Sequence, residues 1–241
     1  ASIMLILQKI AYKKALRVFF QNEDNLRVLK EANVVKDNYA ILPGSGVNIK
    51  TNVFEPMVGN DKLKFITIAR IRKDKGYDEL FDVIRRLKSE GIDNEFHIVG
   101  WYEEDSYKPV VEELLAYGNV KFYENVPHDR VHTLIRKCDC LIHPSHHEGM
   151  SNVVLEAAAC GRPCIVSNIH GCIEGVEDGK TGYHFIVKDS DSLYNQIKKL
   201  ISLDKEQIET MNSAARKKIE RDFDREIIIR EYLKLIEPLA K

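Results

Sequence analysis

Short apolar runs alternate with amphipathic stretches over most of the chain. The runs, bounded by polar and turn-forming residues, predict strands at residues 65–69, 95–99, 120–123, 140–143, 163–167 and 183–186. The stretches between them repeat apolar residues at helical spacing and predict helices at residues 77–89, 107–116, 129–137 and 151–160. Strands bridged by helices form right-handed crossovers and a parallel sheet covered on both faces. The pattern therefore predicts an α/β fold with a Rossmann-like, doubly wound parallel sheet.

The two ends of the chain have a different pattern. The first part predicts a strand at 17–21, a helix at 24–32 and a strand at 39–42, followed by a turn-forming Pro43-Gly44-Ser45-Gly46 and a polar stretch. The tail predicts helix over 191–240, with breaks near Leu203 and Phe223. We predict three parts: residues 1–58, 59–222 and 223–241. Because 58 residues are too few for a Rossmann domain, we expect 1–58 to be a fragment of a second such domain that begins before Ala1.

Residues 1–16 predict an amphipathic helix that carries Lys9, Lys13 and Lys14. Its apolar run is too short for a signal peptide, and no apolar stretch reaches the roughly 20 residues that span a bilayer. Two interpretations stay open: a helix packed on its own domain, or peripheral contact with an anionic membrane surface. The expected location is the cytoplasm, with the inner face of the cell membrane as the alternative.

Charge and cysteine content exclude several function classes. Lys and Arg number 36 against 37 Asp and Glu, a net charge of −1, so the basic excess typical of a nucleic-acid binder is missing. Five cysteines without paired CxxC motifs predict reduced thiols rather than a disulfide framework or a zinc site.

Cations follow the first strand of the predicted sheet, in Arg70-Ile-Arg-Lys-Asp-Lys75-Gly76. Ligands of doubly wound sheets bind at the carboxyl ends of the strands. The planar guanidinium of Arg70 suits two phosphate oxygens, and Lys75 adds a second cation near a helix start. Two cations can neutralise a diphosphate without a metal ion, although a solvated charged loop would have the same composition.

A second strand-to-helix junction reads Glu148-Gly-Met-Ser-Asn-Val-Val-Leu-Glu156. Ser151 is a good N-cap and Gly161 a good residue just past the helix end. Because the helix is apolar on all sides apart from Glu156, we predict that it is buried and that Glu156 has a partner there. The structural alternative for Glu156 is a pair with Arg162.

Glu148 precedes this helix and stands at its start. The turn at residues 149–152 offers unbonded N–H groups and the positive end of the helix dipole, which together bind anions. Gly149 leaves room where a phosphate must approach. A carboxylate on each side of an anion site suits a nucleotide sugar, which has ribose hydroxyls, a diphosphate and sugar hydroxyls in that order.

These motifs resemble family 4 of the glycosyltransferases, which are retaining enzymes of the two-Rossmann-domain (GT-B) architecture. Glu148-x7-Glu156 resembles the family's E-x7-E signature, and Arg70 with Lys75 matches its G-R-L-x-x-x-K-G segment. Further matches are Gly161-Arg-Pro-Cys-Ile-Val-Ser, Gly179-Lys-Thr-Gly182 and Gly44-Ser-Gly-Val-Asn48. The chain most resembles bacterial enzymes of capsule, O-antigen or similar polyprenyl-linked glycan synthesis.

The resemblance implies a role for each matching position. Arg70 and Lys75 would hold the diphosphate and stabilise the departing nucleotide, and Glu148 would bind the donor sugar near the reacting carbon. Glu156 would hold the ribose and Val126 would lie near the base. The backbone of five residues would line the phosphate and sugar: Gly149, Met150, Ser151, Asn152 and Val153. The last helix, 225–239, would cross back to the acceptor domain.

The resemblance also implies substrates and partners. These are a nucleoside-diphosphate sugar, most often a UDP-sugar in this family, and a glycan or polyprenyl-linked acceptor, with no cofactor or metal. Because most of an acceptor domain is missing, we expect the chain alone to transfer little. Ala69 and Glu124 depart from the family pattern, which often has glycine at both positions, and Glu124 puts the base contact in doubt.

Other functions stay open. His143, His146, His147 and Glu148 could bind a metal, but adjacent His146 and His147 project apart and the spacing fits no common ligand pattern. A nucleotide-sugar-binding regulatory module without turnover would keep the same fold. A synthase that uses a sugar-phosphate acceptor would differ only in its acceptor domain.

Overall fold

The computed structural model describes residues 2–42, 44–56 and 62–237. The predicted domain boundary at 58/59 and the predicted end of the last helix at 239 lie outside these residues. Within them, two parallel sheets form, and the larger has six strands.

The N-terminal segment, residues 2–42, forms the small sheet. It contains helix α1 (Ser2–Tyr12), strand β1 (Val18–Phe20), helix α2 (Glu23–Glu31) and strand β2 (Tyr39–Ile41). β1 pairs with β2 in parallel, which is the βαβ arrangement predicted for this part. Helix α1 ends four residues earlier than predicted, in a turn closed by the N–H of Ala15 on the carbonyl of Tyr12.

The large sheet has the strand order β5-β4-β3-β6-β7-β8. Its strands are β3 (Lys64–Ile68), β4 (Glu95–Gly100), β5 (Val120–Glu124), β6 (Cys140–His143), β7 (Cys164–Ser167) and β8 (Gly182–Phe185). Helices α3 (Tyr77–Ser89), α4 (Lys108–Leu115), α5 (His128–Arg136) and α6 (Asn152–Ala159) connect the strands from β3 to β7, and α7 (Ser190–Ile201), α8 (Lys205–Asp222) and α9 (Arg225–Ile236) follow β8. The doubly wound parallel sheet is confirmed, and each predicted strand of it lies within one residue of its observed bounds.

Two cores cover the two faces of this sheet. Because successive side chains of a strand point to opposite faces, Phe65 packs with helices α3, α4 and α7, whereas its neighbour Ile66 packs with α5, α6 and α8. The five cysteines are free thiols and all are buried, as expected of core-filling residues. Burial raises the pKa of Cys138 to about 12 and that of Cys160 to about 11, so both stay protonated at neutral pH.

The predicted breaks in the tail are confirmed, since α7 ends at Ile201, α8 begins at Lys205, and α9 begins at Arg225. Helix α9 then returns to the N-terminal segment, where the ring of Tyr232 lies 4.8 Å from that of Phe19.

Helix α1 exposes its apolar side chains. Ile3, Met4, Ile6, Leu7 and Ile10 are 58–76% exposed. No helix in the described parts of the chain is long and apolar enough to cross a membrane.

Candidate functional site

Two loops meet at the carboxyl edge of the neighbouring strands β3 and β6. Gly76 closes the first loop with a left-handed φ of 73°, and a side chain there would collide with the backbone of Pro144 in the second. This close approach brings Lys75 on one loop to Glu148 on the other. The structure thus joins two residues that the sequence separates by 73 positions.

The ion pair between Lys75 and Glu148 is largely buried. Lys75 Nζ lies 2.7 Å from Glu148 Oε1, and the side chains are 14% and 17% exposed. His143 Nε2 lies 3.2 Å from the same oxygen. Burial raises the pKa of Glu148, but the hydrogen bonds and charges of His143 and Lys75 outweigh burial and lower it to about 2. Glu148 is therefore a carboxylate at any physiological pH.

Glu148→Gln is expected to reduce the acid sensitivity of the fold. The pKa of Glu148 falls from an ordinary 4.5 to about 2 on folding, so its stabilising contribution is complete above pH 4.5 and is lost as the pH falls toward 2. That contribution corresponds to about 3 kcal/mol. Urea unfolding between about pH 6 and pH 3 should give a shallower loss of stability for Glu148→Gln than for the wild type. Exposed Glu124→Gln is the control, and equal slopes for wild type and Glu148→Gln would contradict the prediction.

Ser151 has the backbone geometry of an N-cap, but its hydroxyl does not cap helix α6. Its Oγ instead lies 3.1 Å from Nε2 of His143, at the end of β6. Ser151 is thus the N-cap residue, as predicted, but without the side-chain hydrogen bond of a typical cap, because its hydroxyl contacts His143 instead. The hydroxyl of Ser151, at the start of α6, thus contacts His143, which also contacts Glu148.

The predicted turn at residues 149–152 is packed on both sides. A side chain on Gly149 would collide with the amide of Gln21 from the N-terminal segment. Met150 is nearly buried, and a side chain on Gly44 would come within 3.0 Å of it. The missing side chain at Gly149 therefore leaves room for Gln21. The predicted reason for a glycine here is the approach of a phosphate.

Glu156 is half-buried and lines an open cavity of about 800 Å³. Asn152, one helical turn earlier, lines the same cavity, and Val153 beside them is also half-buried. The prediction that α6 is buried on all sides is thus wrong for one stripe of the helix, which faces the cavity. Arg162 does not bind Glu156: its guanidinium donates to the carbonyls of Glu55 and Arg136, at 2.8 and 2.9 Å.

Polar residues from three other parts of the chain complete the cavity. They come from helix α5, from residues 45–52 and from the start of α9: Ser45, Asn48, Thr51, Asn52, Asp129, His132, Arg136 and Arg225. The cavity therefore lies between helices α5 and α6, the stretch at residues 45–52 and the start of α9.

Arg70 follows β3 as predicted, but its guanidinium is engaged by a carboxylate. Arg70 Nη1 lies 2.9 and 3.2 Å from the two carboxylate oxygens of Glu103, in the loop after the neighbouring strand β4. Arg72 also pairs with Glu103, at 3.1 Å. Arg70 is 44% exposed, so its side chain retains access to solvent.

Val126 and His146 have partners other than the Lys75–Glu148 ion pair. Val126 is half-buried, two residues past β5 at the edge of the sheet, where it packs on the core. His146 pairs with Glu79 at 2.9 Å rather than with the other histidines of its cluster. Across residues 2–42, 44–56 and 62–237, no group of three or more His, Cys, Asp or Glu side chains is placed to hold a metal ion.

Sequence reasoning missed three residues at this site. Glu103 engages the predicted phosphate-binding arginine, and Asn22 donates to the carbonyl of Gly149 at 2.7 Å. His143 contacts Glu148, although the sequence suggested it only as part of a metal cluster. A signal existed for Asn22, because asparagine directly after a strand and before Glu-Asp is a typical helix start.

The model of the family described as glycosyl transferases, group 1, matches residues 48–218. The chain belongs to this family. The match includes both loops of the ion pair, helix α6 and the cavity-lining residues of α5.

Relatives of this chain are named as bacterial glycosyltransferases. The chain is 28% identical over 247 residues to the N,N'-diacetylbacillosaminyl-diphospho-undecaprenol alpha-1,3-N-acetylgalactosaminyltransferase of Campylobacter jejuni, over 98% of this chain and 64% of that protein. It is 25% identical to the capsular polysaccharide biosynthesis glycosyltransferase CapM of Staphylococcus aureus, over 95% of this chain and 63% of that protein. The chain thus spans slightly less than two thirds of the length of these relatives.

Solved structures of glycosyltransferases share the fold of this chain. Sucrose-phosphate synthase from Thermosynechococcus elongatus superposes with a TM-score of 0.86 at 20% identity, over 100% of this chain and 62% of that one. Anabaena HepE, solved with UDP and glucose, gives a TM-score of 0.82 at 20% identity, over 99% of this chain and 68% of that one. The architecture is the GT-B fold, and the chain corresponds to its C-terminal part.

Proposed function

We propose that this chain binds the donor of a retaining, metal-independent family 4 glycosyltransferase. The donor is a UDP-sugar, and the complete enzyme passes the sugar to a glycan or lipid-linked acceptor during synthesis of a bacterial surface polysaccharide. The observation that carries the proposal is the buried Lys75–Glu148 ion pair at the start of α6, with Glu156 in the adjoining cavity.

The two carboxylates fit the two ends of a nucleotide sugar. Helix α6 begins between them, and the N–H groups of its first turn have no partner within the helix. An anion at this position gains from these donors, from the helix dipole and from Lys75. Glu156 then faces the ribose from the cavity, and Glu148 accepts hydrogen bonds from the sugar hydroxyls.

Arg70 completes the diphosphate site by exchanging partners. A carboxylate and a phosphate offer the same pair of oxygens to a planar guanidinium. In the proposed exchange, the donor diphosphate replaces Glu103 as the partner of Arg70. The side chain is accessible enough for this exchange, because it is 44% exposed.

The site promotes transfer by stabilising the leaving group. As the bond from the sugar carbon to the phosphate oxygen breaks, negative charge grows on the diphosphate, and Arg70 and Lys75 stabilise it there. Cys138, Cys160 and Glu148 supply no nucleophile in this proposal, because the two thiols are buried and protonated and Glu148 is held by Lys75.

The acceptor would bind mainly to chain beyond these residues. The Campylobacter relative is named for a diphospho-undecaprenol acceptor, which favours a lipid-linked acceptor here. We therefore expect the chain by itself to bind donor but to transfer little sugar.

Calorimetric titration with UDP, GDP and ADP, with and without EDTA, tests this function. We expect UDP to bind and EDTA to leave its affinity unchanged. Glu156→Ala should weaken binding, and Arg70→Ala should weaken it more, by about ten- to a hundredfold, because a hydrogen bond to a charged group contributes about 1.5–3 kcal/mol. Lys180→Ala, in an exposed ion pair, is the matched control. Wild-type affinity in Arg70→Ala, or binding lost in EDTA, would refute the proposed site.

A further inference from the structure

The side-chain amide of Asn22 joins two parts of the fold that lie far apart in sequence. Asn22 is 4% exposed and sits between strand β1 and helix α2. Its Oδ1 accepts from the N–H of Asn25 at 2.9 Å and so caps α2. Its Nδ2 donates to the carbonyl of Gly149 at 2.7 Å and reaches that of Glu148 at 3.4 Å. The oxygen of the amide thus bonds within the N-terminal segment, whereas its nitrogen bonds to the turn at residues 148–150.

The two carbonyls fix the direction of two N–H groups. In a trans peptide the C=O and the following N–H point in opposite directions. Because the carbonyls of Glu148 and Gly149 face Asn22, the N–H groups of Gly149 and Met150 face away from it. In the parts of the chain that the structure describes, neither N–H has a hydrogen-bond acceptor.

Packing on both sides holds this peptide orientation. A side chain on Gly171 would come within 2.7 Å of the carbonyl oxygen of Gly149, and the carbonyl of Gly171 accepts from the N–H of Ser151 at 2.7 Å. Gln21 packs against Gly149 from the N-terminal segment. The only side-chain donor to these two carbonyls, among the described residues, is Asn22.

We propose that Asn22 is a positioning residue for donor binding: its amide orients the turn at residues 148–150 so that the N–H groups of Gly149 and Met150 face the donor diphosphate. This inference rests on the proposed function. It assigns the N-terminal segment a part in donor binding through a residue that itself touches no donor atom.

Two substitutions separate the cap from the donated hydrogen bonds. Asn22→Ser and Asn22→Asp both keep an oxygen that can cap α2, and both residue types are good N-caps. Serine is too short to reach the two carbonyls, whereas aspartate places a carboxylate oxygen against them and repels them. Asp189→Ala is the control, because it removes the cap of α7, where Asp189 accepts from Ser192 at 2.8 Å.

The experiment combines UDP titration with the amide signals of the ¹⁵N-labelled chain. We expect Asn22→Ser to bind UDP about three- to tenfold more weakly, as for one lost hydrogen bond, and Asn22→Asp to bind more weakly still. Asp189→Ala should bind UDP as the wild type does. The signals of Gly149 and Met150 should shift in both Asn22 variants, because a hydrogen bond to a carbonyl polarises its peptide group. The amide signal of Asn25 should change less than those of Gly149 and Met150, because both variants keep an oxygen that can cap α2.

The possible failures are distinguishable. If Gly149 and Met150 do not shift in the Asn22 variants, Asn22 does not orient the turn, whatever UDP does. If they shift while UDP binds with wild-type affinity, the orientation has no part in donor binding. If the unaltered chain binds no UDP, the proposed function and the donor part of this inference are both overturned, and the amide signals still decide whether Asn22 orients the turn.

Discussion

Lys75→Met should lower the free energy of unfolding by about 3 kcal/mol and reduce UDP affinity below detection. The methionine side chain fills a similar volume but leaves the buried carboxylate of Glu148 with His143 as its remaining charged or polar side-chain partner among the described residues. Breaking a buried ion pair by removing one member is costly because it strands the other charge. Loss of UDP affinity follows because the diphosphate loses one of its two cations and then faces the uncompensated carboxylate of Glu148, with Arg70 as its remaining cation.

Lys62→Met is the matched control for this result. Lys62 and Asp93 lie at the same 2.7 Å separation, but their side chains are 59% and 46% exposed. Exposed pairs contribute at most about 1 kcal/mol, so this variant should be nearly neutral in chemical unfolding and should bind UDP normally. Adding Glu148→Gln to Lys75→Met should restore part of the lost stability, because no charge is then stranded. Equal losses for Lys75→Met and Lys62→Met would contradict the role of the buried pair.

Gly76→Ala should be the most destabilising of the conservative substitutions considered for this chain. Gly76 has a left-handed φ of 73°, which costs an alanine about 1–2 kcal/mol. The added methyl group also meets the backbone of Pro144, which cannot rotate away as a flexible side chain could. Overpacking adds about 1–3 kcal/mol, so the total loss should be about 2–5 kcal/mol. UDP affinity should fall as well, because the clash separates Lys75 from Glu148.

Gly91→Ala is the control that separates the effect of the contact with Pro144 from the effect of backbone strain. Its φ is 74°, and a methyl group there would meet no atom within 4 Å. Gly91→Ala should therefore show the conformational cost alone, about 1–2 kcal/mol by urea unfolding, with normal UDP binding. If the two alanine variants lose the same stability, the loops at Gly76 and Pro144 are not in the tight contact described.

The sheet was predictable from the sequence because its strands are buried on both faces. A strand covered on both sides consists almost wholly of apolar residues, and a polar or turn residue marks each end. Residues 140–143 were predicted with the bounds that the structure has. Helices α3 and α6 were found from apolar spacing and from Gly161, which has the left-handed φ of 77° expected just past a helix end.

The exposure of Glu156 was not predictable from composition alone. Val153 and its apolar neighbours make α6 look buried all round, but Asn152 and Glu156 lie on one stripe that faces a cavity. Whether such a stripe meets a core or a cavity depends on where α5 and residues 45–52 lie. The spacing of residues within α6 carries no information about those neighbours.

The partners of Arg70 and Glu148 depend on strand order. Glu103 reaches Arg70 because β4 lies beside β3, and Lys75 reaches Glu148 because β6 lies on the other side of β3. A pattern of apolar runs predicts strands but not their order in the sheet. Asn22 and Gly149 lie 127 positions apart, so their contact also depends on the fold and could not be predicted from the apolar runs.

A crystal structure of this chain with UDP bound tests the central claim most directly. The proposed site places the diphosphate between the side chains of Arg70 and Lys75 and the N–H groups of Gly149, Met150 and Asn152, with the ribose at Glu156. Arg70 should have left Glu103 for a phosphate oxygen. A diphosphate bound elsewhere, with Arg70 still on Glu103 and Lys75 turned away from it, would contradict the account.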